Sequence, residues 1–137
     1  MRGMRGRTTS DDSVDRWSRH DWWGVVLEAP DAPALARFYS ELLGWKISGE
    51  TPEDAAIAPE GGVAYISFQT AKDYVAPVWP TAAGRQQMMM HLDFEVSELA
   101  EAVEHALELG ATLADFQPQD NVRVLLDPVG HPFCLYT

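Results

Sequence analysis

The chain repeats one order of elements: a strand, a helix ended by glycine, and further strands. This repeat restricts the fold more than any other feature of the sequence. Gly24, in the first predicted strand, lies 20 residues before the helix-ending Gly44, and His91 lies 19 residues before Gly110. Matched spacing indicates an internal duplication, and two copies are too few for a stacked solenoid. We therefore predict an α+β fold of two paired βαβββ modules, which form a curved mixed sheet around a central cleft.

Hydrophobic periodicity and turn residues place the same elements in both halves. Leu35, Phe38 and Tyr39 share one apolar helix face in the first half, and Asp31 and Ser97 are the predicted N-caps of the two helices. Strands are expected at 22–28, 45–49, 54–58 and 63–70, and then at 87–96, 112–116, 122–127 and 133–136. We expect a polar tail at 1–20 and one domain at 21–137, made of module one at 22–70, a linker at 71–85 and module two at 86–137.

Charge and composition limit the partners of such a domain. The 137 residues carry a formal net charge of -11, and an acidic body repels a phosphate backbone, which argues against nucleic acid as a partner. No apolar run approaches the ~18 residues of a membrane span. Cys134 is the single cysteine, so no internal disulfide can form, and the cytoplasm is the expected location.

Side-chain alternation along the strands predicts which residues face the cleft. In the first strand Trp23, Val25 and Leu27 should face the helix, and in the fifth strand Leu92 and Phe94 should do so. Aromatic and polar residues from the opposite faces, together with one linker tryptophan, then form a predicted ligand-binding set. This set contains Trp22, Tyr65, Gln69, Trp79, His91, Asp93, Cys134 and Tyr136. The alternatives are a solvated sheet face and, for Trp79, a hinge anchor.

Three segments resemble motifs of one superfamily. DAPALARFYSELLGW at 31–45 is similar to a "D…FY…LLG" helix, HLDFEV at 91–96 to a fifth strand, and LLDPVGHPFCLY at 125–136 to a "DP-x-G-N-x-[FI]-x-L" ending. The order and spacing of these segments resemble the vicinal oxygen chelate superfamily, which holds glyoxalases, bleomycin-resistance proteins and extradiol dioxygenases. Over about residues 22 to 137, the chain is most similar to an uncharacterised glyoxalase-like branch. The resemblance implies the paired βαβββ fold and often a homodimer.

Metalloenzymes of this superfamily place one ligand on each of the first, fourth, fifth and eighth strands. The resemblance puts Gly24, Gln69, His91 and Cys134 at these positions and implies that they converge near the centre of the domain. Hard divalent ions and non-haem iron require imidazole and carboxylate ligands, which this quartet does not supply. We therefore expect no tightly bound metal and no cofactor there. A metal would require Asp93 or Cys134 to complete a non-standard site.

Other roles for His91 and Cys134 remain open at this stage. His91 is interpreted as a hydrogen-bonding or acid–base group, or as a structural histidine, and Asp93 shares its face and can orient it. Cys134 and His91 should approach each other, either as a thiolate–imidazole pair or with Cys134 as a small apolar filler.

The leading functional hypothesis is a glyoxalase/bleomycin-resistance-like protein that binds a small organic ligand without the standard metal. The alternatives are a lyase, isomerase or dioxygenase of the same superfamily, and a non-catalytic structural or interaction subunit. Whether a reaction is catalysed is left open by the sequence. The expected assembly is a homodimer.

Overall fold

The computed structural model describes Asp15, Ser18, Arg19 and residues 21–137. Most of the predicted polar tail therefore lies outside the described residues. The chain divides into two compact units between Lys72 and Asp73. Among the described residues, neither helix has the length and apolar character needed to cross a lipid bilayer.

Module one has the order strand, helix and three strands. Its elements are β1 (Trp23–Ala29), α1 (Ala32–Leu43), β2 (Lys46–Glu50), β3 (Asp54–Ala58) and β4 (Ala64–Thr70). The sheet order is β1-β4-β3-β2, with β1 parallel to β4 and the other pairs antiparallel. The parallel pair needs a long crossover connection, which α1, β2 and β3 supply.

The ends and the buried face of α1 follow from its sequence. The Asp31 carboxylate accepts a hydrogen bond from the Ala34 backbone N–H at 3.0 Å, and Gly44 ends the helix in the left-handed conformation at φ 68°. Tyr39 of α1 is fully buried and stacks on Phe68 of β4, with ring centroids 5.8 Å apart. The apolar helix face therefore packs on the sheet as its periodicity predicted.

Module two repeats this architecture. Its elements are β5 (Leu92–Glu95), α2 (Leu99–Glu108), β6 (Thr112–Leu113), β7 (Val122–Leu126) and β8 (Pro132–Tyr136). The sheet order is β5-β8-β7-β6, and β5 is parallel to β8 as β1 is to β4. Ala106, Leu125, Phe133 and Leu135 form much of the core. The predicted α+β class with two βαβββ modules is confirmed.

Gly24 is required by a close approach inside the β1–β4 pair. Gly24 and Tyr65 are register partners in this parallel pair, and the Tyr65 ring lies directly against the Gly24 backbone. A Cβ atom at residue 24 would lie 2.6 Å from ring carbons of Tyr65 and 2.6 Å from the Tyr65 carbonyl oxygen. Because one obstacle is backbone, rotation of the tyrosine alone does not make room for a side chain.

Asp127 organises the turn between β7 and β8. Its side chain is buried, and Oδ1 accepts hydrogen bonds from the backbone N–H groups of Val129 and His131 at 3.0 Å each. The second oxygen, Oδ2, lies 2.7 Å from His131 Nδ1. The His131 ring packs beside Tyr74, whose hydroxyl donates a hydrogen bond to the Val129 carbonyl at 2.8 Å. The predicted turn thus holds a buried carboxylate with several partners.

The fifth strand is shorter than the predicted 87–96. It begins at Leu92, because Met89 has a φ of 59° and the Met90 N–H bonds to the Met88 carbonyl, a tight turn that interrupts extended backbone. Met89 is 80% exposed. The apolar run at 88–90 therefore resembled a strand in its composition but does not form one.

The predicted cap of the second helix was wrong by one residue. Ser97 precedes the cap, which is Glu98: this residue is extended, and its carbonyl accepts the Ala102 N–H at 3.0 Å. The Glu98 side chain makes no capping hydrogen bond. The N-cap is the residue whose carbonyl accepts the first helical hydrogen bond, and Ser97 lies one residue before that position.

Two further boundaries differ from the sequence prediction. The sixth strand ends at Leu113 rather than 116. Beyond it, the Ala114 N–H still bonds to the Val124 carbonyl at 3.0 Å, and the Gln117 side-chain amide then bonds to both the N–H and the carbonyl of Val124. Trp23 does not pack under α1 but is 62% exposed. A helix of 12 residues spans about 18 Å whereas a strand of seven spans about 23 Å, so the first residue of β1 extends beyond the helix.

We expect Gly24→Ala to destabilise the protein by about 1–3 kcal/mol, because the added methyl group overpacks the β1–β4 pair. Urea denaturation of the full chain measures this. The matched control is Gly49→Ala in β2, where an added Cβ meets nothing within 4 Å, and it should be neutral or slightly stabilising. Equal stability of the two variants would contradict the close approach.

We expect Asp127→Ala to lower the free energy of unfolding by about 2–4 kcal/mol, because two part-buried backbone N–H groups lose their acceptor. Asp127→Asn retains an acceptor oxygen and should cost less. The exposed Asp115→Ala should change stability by less than about 0.5 kcal/mol. A loss for Asp127→Ala no larger than that of Asp115→Ala would contradict the role of the carboxylate.

Candidate functional site

Three side chains of different chemistry meet where β5 lies beside β8. Asp93 and Cys134 are direct register partners in this parallel pair, and His91 lies two residues before Asp93. His91 Nε2 is 3.1 Å from Asp93 Oδ1, and one donor atom from each of the three residues lies within 4.8 Å of the others. The predicted approach of His91 and Cys134 is therefore observed, with Asp93 beside both. We call these three residues the β5–β8 cluster.

The cluster lies on the solvent-facing side of the strands. The side chains of His91 and Asp93 are 39% and 56% exposed, whereas Leu135, next to Cys134 in β8, points into the core and is 2% exposed. Phe94 of β5 likewise packs inward, with its ring 6.4 Å from that of Phe133. Alternation thus assigns the apolar residues to the helix side and the polar residues to the other face, as predicted.

Cys134 is held as a neutral thiol. Burial raises the pKa of Cys134 to about 11, and the hydrogen bond to Asp93 and the charge of that carboxylate act in the same direction. The thiolate is therefore scarce at neutral pH, and the sulfur lacks the activation of a catalytic nucleophile. As it stands, the cluster can donate and accept hydrogen bonds and can hold a positively charged group.

The remaining predicted residues of module two lie in two places. Tyr136 follows Cys134 by two residues on the same face of β8, pairs in register with Glu95, and is half-buried. Trp79 contacts Phe116: its indole N–H donates to the Phe116 carbonyl at 3.2 Å, and the two rings lie 6.2 Å apart. Phe116 is 51% exposed, so Trp79 and Phe116 together form an open aromatic surface that the sequence did not predict.

In module one, Trp22 and Tyr65 form an aromatic pair. Their ring centroids are 6.3 Å apart at 56°, and the Trp22 indole N–H donates to the Arg19 carbonyl at 2.9 Å. Gln69, four residues after Tyr65 in β4, is exposed and pairs in register with Glu28. The Tyr65 ring lies against the Gly24 backbone, and Gln69 lies on the same face of β4 as Tyr65, nearer the end of the strand.

The four-ligand metal centre implied by the superfamily resemblance does not fit these residues. Gly24 has no side-chain donor atom, and the Tyr65 ring fills the space into which a side chain at residue 24 would extend. Gln69 supplies a neutral amide and Cys134 a protonated thiol, where oxygen-rich or imidazole ligands are required.

Sequence reasoning missed the cluster of Asp127, His131 and Tyr74. The segment at 127–130 was interpreted only as a turn, and His131 only as structural. A signal was present, since an aspartate before Pro-x-Gly accepts the N–H two residues on. The contact with Tyr74 spans 57 residues and follows no local pattern. Burial and the charge of Asp127 raise the pKa of Tyr74, so its hydroxyl stays a donor.

Comparison with known proteins places this geometry in a family. A family model described as a glyoxalase-like domain matches residues 24–136. No curated protein sequence matches the chain.

Several solved structures share the fold at low sequence identity. A glyoxalase/bleomycin resistance protein/dioxygenase family enzyme from Burkholderia phytofirmans PsJN is 22% identical, with a TM-score of 0.59 over 82% of this chain and 94% of that chain. A glyoxalase-related enzyme from Fulvimarina pelagi is 21% identical, with a TM-score of 0.59 over 85% and 88%. A possible glyoxalase from Bacillus cereus is 16% identical, with a TM-score of 0.60 over 85% and 97%.

The family match spans nearly all of the two modules, and the repeated βαβββ order agrees with it. The chain belongs to the glyoxalase-like domain family of the vicinal oxygen chelate superfamily.

Proposed function

We propose that this protein binds a small organic ligand and that it does so without the four-ligand metal centre of its superfamily. The β5–β8 cluster is the observation that carries the proposal: an imidazole, a carboxylate and a thiol converge within 4.8 Å at a strand face, and none of the three is committed to the core. A few placed polar groups beside aromatic surface are typical of small-molecule sites.

The polar groups favour a ligand with a hydrogen-bonding or cationic end. The His91 ring nitrogens donate or accept depending on the tautomer, whereas a carboxylate such as that of Asp93 offers acceptor oxygens. The formal net charge of -11 makes approach of a cation favourable over approach of an anion. Tyr136, on the same strand face as Cys134, supplies apolar surface beside these groups.

The aromatic pair of module one supports the binding of a flat or apolar group. The rings of Trp22 and Tyr65 lie 6.3 Å apart, and the Tyr65 ring occupies the space beside Gly24 of β1. Aromatic rings bind by area and by ring-to-ring contact, which tolerates different ligands. Trp79, with its ring beside Phe116, is a second surface of this kind.

A binding role agrees better with Cys134 than a nucleophilic one. A Cys–His nucleophile requires a thiolate near neutral pH, and the Asp93 carboxylate opposes this state. We further propose that the protein acts as a homodimer in the cytoplasm, in keeping with the superfamily resemblance and with its single, unpaired cysteine.

We expect Cys134 to react slowly with iodoacetamide at pH 8 in the presence of EDTA. The thiolate fraction is small there because the pKa is raised to about 11, and the rate should rise about tenfold per pH unit towards that value. Asp93→Asn should accelerate the reaction at pH 8, since it removes the charge that opposes ionisation. Mass spectrometry is unambiguous, because the chain has one cysteine. A rate that is already constant near pH 7 would contradict the prediction.

We expect at least one class in a fragment panel of size-matched aromatic amines, alcohols and acids to raise the melting temperature of the EDTA-treated full chain. Amines should rank first. Tyr136→Ala should weaken the active fragments by about 1–2 kcal/mol without changing their rank, because it removes aromatic contact area beside the β5–β8 cluster. His91→Ala should change the rank, because it removes a selective polar contact.

The matched control is His105→Ala, on the exposed side of α2, which should leave both affinity and rank unchanged. Absence of any thermal shift across the panel would favour a structural subunit over a binding protein. Turnover of a bound fragment would favour an enzyme.

A further inference from the structure

The turn before β5 exposes two neighbouring apolar side chains. Met89 and Met90 are 80% and 71% exposed, whereas Met88 is half-buried. A single exposed apolar residue is ordinary, whereas contiguous exposed apolar surface more often marks a contact site. Methionine is unbranched and polarisable, and it is common on surfaces that accept ligands of different shapes. We call Met89 and Met90 the methionine turn.

The backbone of the methionine turn is strained. Met89 has a φ of 59°, the only positive φ at a residue other than glycine in the part of the chain that the structure describes. The Met90 N–H bonds to the Met88 carbonyl at 2.6 Å. A hydrogen bond across one residue of positive φ is typical of the rarer and strained form of γ-turn. Strained residues of this kind cluster at ligand-contacting segments, so the turn is a candidate for a functional role.

Contacts on both sides hold the methionine turn in place. On its N-terminal side the Val78 N–H bonds to the Gln86 carbonyl at 3.1 Å, and on its C-terminal side Leu92 pairs in register with Phe133 of β8. These contacts fix the chain at residues 86 and 92, and the change of direction between them falls on Met89. Glycine adopts a positive φ without strain, so the methionine side chain costs the free protein stability that glycine would not.

The methionine turn leads directly into the β5–β8 cluster. Met90 precedes His91 in the chain, and two trans peptide units span at most about 7 Å, so the Cα atoms of Met89 and His91 lie within that distance. The His91 side chain in turn contacts Asp93. A ligand whose polar end binds these two residues therefore has exposed thioether side chains within reach of its apolar body.

We propose that Met89 and Met90 contact the apolar body of a ligand whose polar end binds the β5–β8 cluster, and that the ligand is an amphipathic amine, a hydrocarbon carrying one ammonium group. The inference rests on the organic-ligand function proposed above and deepens it by naming the ligand class. The cluster selects the charged end, and the methionine turn selects the size of the apolar body. Thioether side chains adapt to its shape, so affinity follows the apolar area buried.

The test titrates linear primary amines, from butylamine to octylamine, into the EDTA-treated full chain by calorimetry. Affinity should rise about two- to fourfold with each added methylene group, where the upper figure corresponds to full burial. Met89→Gly and Met90→Ser should each flatten this rise and weaken octylamine binding at least about fivefold. Met89→Gly should also raise the urea midpoint, because glycine accepts the positive φ without strain. Met89→Leu, which keeps the apolar area, should retain most of the rise.

The matched control is Leu107→Ala, an exposed apolar residue on α2 at the other face of the sheet, which should bind the whole series as the parent chain does. An equal rise with chain length in the parent and both methionine variants would overturn the inference and leave the organic-ligand proposal standing. Failure of every amine to bind the parent chain would also overturn it, whereas the organic-ligand proposal fails only if the alcohols and acids of the fragment panel give no thermal shift either. Unchanged affinity in Met89→Gly with a changed sedimentation coefficient would assign the surface to a second copy and overturn the inference.

Discussion

The parallel pairing of the first and last strand in each module is the constraint on which the rest of the structure depends. Parallel neighbours cannot be joined by a tight turn, so each module must insert a helix and two strands between them. The helix then covers one face of its sheet and leaves the other face to polar and aromatic side chains. In module two, the same pairing brings Asp93 opposite Cys134 although 41 positions separate them in the chain. The β5–β8 cluster exists only because of this register.

Asp93 has two electrostatic effects within the cluster. It lies 3.1 Å from His91, where its carboxylate can orient the ring, and it accepts a hydrogen bond from Cys134, which keeps that sulfur protonated. The same charge therefore opposes nucleophilic chemistry and supports the proposed recognition of a cationic group.

Gly24 and Tyr65 close the first-strand position that the superfamily resemblance assigns to a metal ligand. A residue with a side chain at 24 would collide with the ring and the carbonyl of Tyr65, so the first-strand ligand position is closed by packing rather than merely vacant. Aromatic surface from Trp22 and Tyr65 takes its place. Asp93 and Cys134 of module two are positioned separately from this change, by the register of the β5–β8 pair.

The sequence by itself determined the duplicated βαβββ order, the helix faces and most strand positions, because hydrophobic periodicity and the glycine and aspartate caps are local properties. It also indicated that Asp93 shares a face with His91, since two residues along a strand suffice for this. Two features are local but do not show in residue types: the side-chain bonds of Gln117 beyond β6, and the left-handed turn at Met89 within an apolar run that matches a strand in composition. Tertiary structure alone decided the contacts between distant segments, which are the Tyr65 ring on Gly24 and Tyr74 beside Val129 and His131. These contacts depend on long-range packing and register, which no local pattern encodes.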